Sequence, residues 1–330
     1  MTVAVTGSMA FDYIMSFPGK FAEHILPDQI EILSVSFLVD SMRRERGGCA
    51  GNIAYTLALL GQPVLLMATV GQDAPEYIAA LRQQGVDVSG VLQLPNEFTA
   101  SFFVSTDQVN NQIASFYTGA MAKAGQISFA DQDYRKISIA IISPNDPQAM
   151  VKYVRECQEL NIPYIYDPSQ QIPRLTPEEL LQGIRGAKIL IVNDYEYELV
   201  KRRTGLSDND IQGMVETVVV TRGDKGAVIR VTEQQAGGMA LAREIHIPAA
   251  RPDREADPTG VGDAFRAGLI TGIMRGYPWE VAGRMGALAA VYVLEQHGTQ
   301  RHRFTRQQFA RRYREAFGDT PEMDDFVRHP

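Results

Sequence analysis

Apolar residues follow two different rhythms along this chain. From Ile137 onward, the short unbroken runs Ile137–Ile142, Tyr164–Tyr166, Ile189–Val192 and Val218–Thr221 alternate with stretches of helical period. Strands alternating with helices predict βαβ units wound around a mainly parallel sheet. The N-terminal part adds two such strands, the β-branched run Thr2–Thr6 that stops at Gly7 and the apolar run Val64–Val70. Helices are predicted over Asn52–Leu60, closed by Gly61, and over Glu76–Gln84, ended by Gly85. Two longer ones are predicted over Asp263–Arg275 and Trp279–Glu295.

Two regions break this rhythm. Tyr13–Arg46 carries Pro18, Pro27 and an alternating piece around Ile30–Val39. Phe98–Thr106 and Gln112–Tyr117 read as strands joined by the polar turn Asp107–Asn111. These strands stand outside the βαβ order and are expected to pair as a small second sheet over the main one.

Composition then narrows the class. The 330 residues give room for about two compact units at roughly 150 residues each. A hydrophobic share of 45% and a charged share of 22% are those of an ordinary globular protein. Lys plus Arg is 32 and Asp plus Glu is 39, a net charge of −7 that disfavours nucleic acid as a partner. Cys49 and Cys157 are the 2 cysteines, too few for a disulfide framework. The start Met1-Thr2-Val3-Ala4-Val5 lacks the pattern of a signal peptide, and no apolar run approaches the roughly 18 residues that span a bilayer. A soluble cytoplasmic protein without a membrane partner is expected. The 5 histidines show no metal-ligand spacing.

The strongest chemical signal is Asp257-Pro258-Thr259-Gly260-Val261-Gly262-Asp263-Ala264-Phe265, placed before an amphipathic helix. Glycines at a helix start leave backbone N–H groups open to a ligand, and the helix terminus adds about half a positive charge. Asp263 suits either a helix N-cap or a general base beside that anion site. Asp257, in the same turn, favours acid–base chemistry next to charge stabilisation. Three weaker clusters accompany this turn. Gly47-Gly48-Cys49-Ala50-Gly51-Asn52 allows close ligand approach at a helix start, or simply tight packing there, and Asn52 offers both donor and acceptor. Asn193-Asp194-Tyr195-Glu196 fits either water-mediated Mg²⁺ binding or a capped helix with an acidic first turn. Thr221-Arg222-Gly223-Asp224-Lys225-Gly226 reads equally well as a β-hairpin turn. A Walker-type Gly-x-x-x-x-Gly-Lys-Ser/Thr is absent, as is Gly-x-Gly-x-x-Gly after the first strand.

These four clusters, in this order, resemble the PfkB/ribokinase family of carbohydrate and nucleoside kinases. Gly47–Asn52 is similar to the family's first signature and Asp257–Asp263 to its second, with Pro258 where Thr is commoner. Asn193 and Glu196 match its Asn-x-x-Glu motif, and Thr221, Gly223 and Gly226 match its nucleotide loop. Gly7–Tyr13, Ile25–Pro27 with Ser34–Asp40, Gln112–Tyr117, Asp167–Gln171 and Leu294–Gln300 resemble the bacterial adenosine kinases within the family.

The resemblance implies an α/β fold: a three-layer α/β/α core over residues 1–12, 47–96 and 121–330, and a small β lid over 13–46 and 97–120. It implies transfer of the ATP γ-phosphoryl group to the 5′-hydroxyl of adenosine, a step of purine salvage. Asp263 would take the hydroxyl proton, with the amides of Gly260, Val261 and Gly262 beside it holding the developing charge. Asp12, Gly48 and Asn52 would hold the ribose hydroxyls, with Ser8 and Gln171 nearby. Phe102 and Phe116 would sandwich the purine, Gln170 would face the same cleft, and Arg174 would meet phosphate. Thr221, Gly223, Gly226, Asn193 and Asp257 would serve the nucleotide, and Asn193 and Glu196 would place Mg²⁺ through water. The resemblance also implies K⁺ as an activator and a homodimer formed through the lid.

The residue types agree with that acceptor, since a carboxylate can accept from two vicinal hydroxyls and aromatic faces suit a base. Two alternatives stay open: a kinase for another nucleoside or for a free sugar such as ribose, and a catalytically silent ligand-binding regulator. The intact Asp263 speaks against the regulator. Arg301, Arg303, Arg306, Arg311, Arg312 and Arg314 form a basic C-terminal stretch outside the family pattern, which reads as a solvated helix face.

Overall fold

The computed structural model describes residues 1–25, 31–32, 34–234 and 240–329. Among them, nine strands form one large sheet. Its spatial order is β13 (Ala240–Ile247), β12 (Ala227–Gln234), β11 (Thr217–Thr221), β10 (Ile189–Asn193), β9 (Tyr164–Tyr166), β8 (Ile137–Ile142), β1 (Thr2–Thr6), β4 (Val64–Val70) and β5 (Val91–Gln93). All neighbours from β11 to β5 run parallel, and only β12 and β13 turn back antiparallel at one edge.

Alternate residues of the central strands feed two cores. Val3, Val5, Ile139, Ile141, Ile189, Ile191 and Val219 pack on α1 (Cys49–Leu59), α2 (Pro75–Gln83), α7 (Val261–Met274), α8 (Trp279–Leu294), α9 (Arg306–Phe317) and α10 (Pro321–Arg328). Ala4, Ala140, Ile142, Leu190, Val192, Val218 and Val220 pack on α3 (Pro147–Glu159), α4 (Pro177–Ile184), α5 (Asp194–Thr204) and α6 (Asp208–Gln212). This is the three-layer α/β/α core that was expected. Burial on both faces explains why its strands read as unbroken apolar runs rather than alternating ones.

The smaller sheet has the order β3 (Ser41–Gly47), β2 (Ala10–Ser16), β6 (Ala100–Thr106) and β7 (Gln112–Tyr117). β2 follows β1 after a three-residue turn, so Asp12 stands on this lid sheet. Within the alternating piece around Ile30–Val39, no described residue pairs into the sheet. Residues 26–30 and 33 lie outside the described residues, 34–39 form no strand, and the pairing strand is β3 just beyond. Its sequence, Ser-Met-Arg-Arg-Glu-Arg-Gly, has no apolar alternation, and Ser41–Arg44 are exposed. Backbone pairing with β2, not side-chain burial, makes it a strand. Among the described residues no helix is long and apolar enough to cross a membrane.

Candidate active site

Ligands of open α/β sheets bind beyond the carboxyl ends of the strands. Here the ends of β1, β8, β9, β10 and β11 lead to Ser8, Pro144, Asp167, Asn193 and Thr221, which line one cleft of about 650 Å³ beneath the lid. A second cavity, of about 830 Å³, is lined by Asp194, Gly223, Gly226, Ala250 and Val261. Asn193, Thr221 and Gly262 line both, so the two spaces meet at the start of α7. Of the residues singled out in the sequence, Ser8, Asp12, Gly48, Asn52, Phe102, Phe116, Gln170, Gln171, Arg174, Glu196, Gly260 and Asp263 also line the cleft. Asp257 lines neither space; its Oδ1 accepts from the Thr259 N–H at 2.9 Å and shapes the turn.

α7 starts at Val261, two residues ahead of the expected Asp263, with Gly260 as its N-cap. Gly260 sits at φ +80°, and a Cβ there would lie 2.9 Å from Thr299 Cγ2, so glycine is required on both counts. Asp263 is therefore the third residue of the helix and not its cap. The Val261 N–H donates to the Pro258 carbonyl at 3.3 Å, while the Gly262 and Asp263 amides have no backbone acceptor at this helix end, as the anion-site reading requires. Across the cleft Gly48, at φ +87°, opens α1; a Cβ there would come within 2.6 Å of Ala10 N.

Asp263 is held from α1. Asn52 Nδ2 donates to its Oδ2 at 2.9 Å. The Asn52 oxygen in turn accepts from Thr299 Oγ1 at 2.7 Å and from Gln300 Nε2 at 2.9 Å, which fixes the amide with its nitrogen toward Asp263. Gln300 also reaches Tyr77 Oη at 2.5 Å, and Tyr77 donates to the Gly47 carbonyl at 2.8 Å. Burial raises the Asp263 carboxyl above its ordinary value, while Arg266, Asn52 and the Cys49 thiol pull it down without cancelling that rise. Arg266, one turn along α7 and buried, donates from Nη2 to Asp167 Oδ1 at 2.6 Å. Burial pushes Asp167 up to about 7, opposed by the adjacent guanidinium. The guanidinium keeps its proton, so the pair stays a charged floor to the cleft.

Sequence reasoning did not single out Arg266, Asp167 or Gln300 for a role. Arg266 lies three residues after Asp263, on the same helical face, and that spacing was the available signal.

The lid supplies a row of side chains. Asp12 is paired in register with Phe102, and Phe102 with Phe116, so all three project from one face of the sheet. The expected sandwich of two rings is instead a single wall: cross-strand partners stand side by side, not on opposite sides of a ligand. Glu45 continues the row on the far side of Asp12. Burial, with the charges of Asp257, Asp263 and Glu45, raises the Asp12 carboxyl from 3.8 to about 6.

Asn193 and Glu196 form a reciprocal capping box on α5: Asn193 Oδ1 accepts from the Glu196 N–H, and Glu196 Oε2 from the Asn193 N–H, both at 2.8 Å. The capping reading is realised, and both residues still line the cleft. Among the described residues no group of three or more His, Cys, Asp or Glu is placed to hold a metal. This donor set fits a cation that keeps most of its water, not an all-protein cage. Thr221–Gly226 likewise serves twice, joining antiparallel β11 and β12 and lining the second cavity.

The model of the pfkB family carbohydrate kinases matches residues 12–305 of the chain. The nucleoside kinase of Burkholderia thailandensis, solved with inosine, is 38% identical, with a TM-score of 0.84 over 96% of this chain and 98% of that one. The same kinase solved with ADP-inosine aligns at 40% identity and a TM-score of 0.81, covering 96% of both chains. The nucleoside kinase of Methanocaldococcus jannaschii is 29% identical over 300 residues, 90% of this chain and 92% of its own.

Proposed function

The chain belongs to the pfkB family of carbohydrate kinases, phosphotransferases that act on hydroxyl groups, and on that premise we propose that it transfers the ATP γ-phosphoryl group to the 5′-hydroxyl of a purine nucleoside, with adenosine as the principal acceptor. The observation that carries this reading is the row Asp12–Phe102–Phe116, which faces the same cleft as Asp263. A carboxylate accepts from two vicinal ribose hydroxyls, and the neighbouring aromatic wall gives the base a stacking face. The relative solved with inosine supports a nucleoside as the acceptor. A glutamine amide donates and accepts, so Gln170 and Gln171 suit either a 6-amino or a 6-oxo purine, and inosine is the natural competitor.

In this scheme the nucleotide lies in the second cavity, along Gly223 and Gly226, with its terminal phosphate at the start of α7. Asp263 takes the 5′-hydroxyl proton as the oxygen attacks the γ-phosphorus. The bond from that phosphorus to the bridging oxygen breaks, and ADP leaves with the electron pair. The amides at Gly260–Asp263 face the charge that builds on the transferring group. Asn193 and Glu196 would hold Mg²⁺ through its water shell, where the ion neutralises phosphate charge. The raised carboxyl of Asp263 makes it a stronger base than a solvated aspartate.

The lid face opposite Phe102 exposes Met42, Phe103, Ile113 and Tyr117, and a second copy of the chain is the proposed cover. The function is tested by ADP release with adenosine, inosine, ribose and fructose as acceptors. Nucleosides should exceed both sugars at least tenfold in kcat/KM; equal use of ribose would overturn the nucleoside reading.

A further inference from the structure

A second concentration of charge lies outside the cleft. Behind the lid, a cavity of about 650 Å³ is lined by Arg44 and Arg46 of β3 and by Arg301 and Arg303 beyond α8, against only Glu45 and Glu76. Arg301 and Arg303 open the basic C-terminal stretch, whose other members are engaged elsewhere. Arg312 holds Glu295, Arg314 holds Asp319 and Asp324, Arg311 approaches Glu315, and Arg306 donates to the His329 carbonyl.

In the cavity the charges do not balance. Arg301 binds Glu45 in a fork at 2.9 and 2.7 Å, and Arg44 stands 3.7 Å from Glu76. Among the described residues Arg46 and Arg303 have no carboxylate partner. Burial and the nearby Arg46 charge hold Arg303 below its usual range. A smaller hollow of about 400 Å³ continues the space and is again lined by Arg46, Arg303 and Gln300.

We infer that this basic cavity behind β3 is a binding site for a small phosphate-bearing anion, separate from the substrate cleft. Guanidinium groups take phosphate oxygens in pairs, and a dianion offsets the two cations left without a carboxylate, of which Arg303 is held by the Gln300 and His302 carbonyls. Gln296 and Gln300 add polar lining suited to phosphate oxygens or sugar hydroxyls. The cavity offers no stacking face for a base. Phe11 and Tyr77 are buried, and Arg44 covers the Phe11 ring at 4.4 Å. A compact inorganic or sugar phosphate therefore fits better than a nucleotide. Gln300 also forms part of the wall between the two sites, since its amide donates to Asn52.

Calorimetric titration of the full chain with pyrophosphate, and separately with ribose 5-phosphate, tests the site and tells the inorganic source from the sugar one. The tighter of the two should bind once per chain, more weakly as salt is added. Arg46→Gln and Arg303→Gln should each weaken that binding about tenfold. The Arg46 guanidinium makes no hydrogen bond in the described structure, so its loss leaves the fold intact. Neither substitution alters the start of α7, so a ligand bound there would persist in both variants. Absence of binding by both compounds, or binding that Arg46→Gln leaves unchanged, overturns the assignment.

Discussion

Asn52 Nδ2 donates to Asp263 Oδ2 across 2.9 Å, joining the first turns of α1 and α7 over 211 residues of sequence. The bond occupies one carboxylate oxygen, and the Cys49 thiol is a second donor to the same group. The bond also changes what Asn52 is for. With its own oxygen taken by Thr299 and Gln300, Asn52 would, in the proposed scheme, orient the base more than grip the ribose.

Removing Gln300 from this chain of bonds should therefore act on rate. Gln300→Met deletes one of the donors that fix the Asn52 amide and loosens Asp263. A net loss of about 1 kcal/mol of orientation corresponds to a fall in kcat of roughly fivefold. The nucleotide KM should stay within twofold, which steady-state kinetics will show.

The aromatic wall predicts a different split. Phe102→Ala and Phe116→Ala should each raise the nucleoside KM about tenfold or more, since stacking on a base is worth roughly 1–3 kcal/mol. Turnover of ribose, which has no base to stack, should not move. Parallel titrations with adenosine and ribose check both halves.

As the proposed ribose ligand, Asp12 would couple substrate binding to stability. Its carboxyl is raised from 3.8 to about 6, so the folded chain binds that proton more tightly than the unfolded one. The stabilisation is full below pH 3.8 and is lost as pH rises toward about 6. Asp12→Asn should thus raise Tm at pH 7 relative to the parent, while the gap closes near pH 4. Asp12→Ala should bind adenosine more weakly and lose its preference over 2′-deoxyadenosine, because the polar group that the analogue would leave unpaired is gone. In the parent, nucleoside affinity should fall as pH drops through about 6 and the acceptor carboxylate protonates.

Sedimentation tests the lid as an interface. At micromolar concentration the account expects a mass of twice 36.5 kDa. Ile113→Lys and Tyr117→Lys, placed on the exposed face, should return the monomer.

Much of this architecture is legible in the sequence because local chemistry carries it. The parallel strands are unbroken apolar runs, and the turn at Gly260-Val261-Gly262 announces a helix end open to anions. Other features depend on contacts the sequence does not display. β3 has no apolar alternation, with Met42 its one large apolar residue, and becomes a strand only because β2 offers it a backbone partner. α1 begins at Cys49, three residues before the expected Asn52, because its N-cap is a glycine with positive φ and no capping side chain. The Arg266–Asp167 pair joins positions 99 apart and has no local signature. The aromatic pair was legible as residues but not as a geometry, since only the register shows that Phe102 and Phe116 stand side by side.

Whether Asp263 removes the acceptor proton is decided by Asp263→Asn. The substitution keeps the shape and still accepts the Asn52 hydrogen bond, but it cannot act as a base. The α7 amides proposed to meet phosphate are untouched, and the N-cap is Gly260, so the helix start is preserved. The account predicts a fall in kcat of about 10²–10⁴-fold with nucleotide affinity nearly unchanged. A variant within a few-fold of the parent in kcat would contradict it.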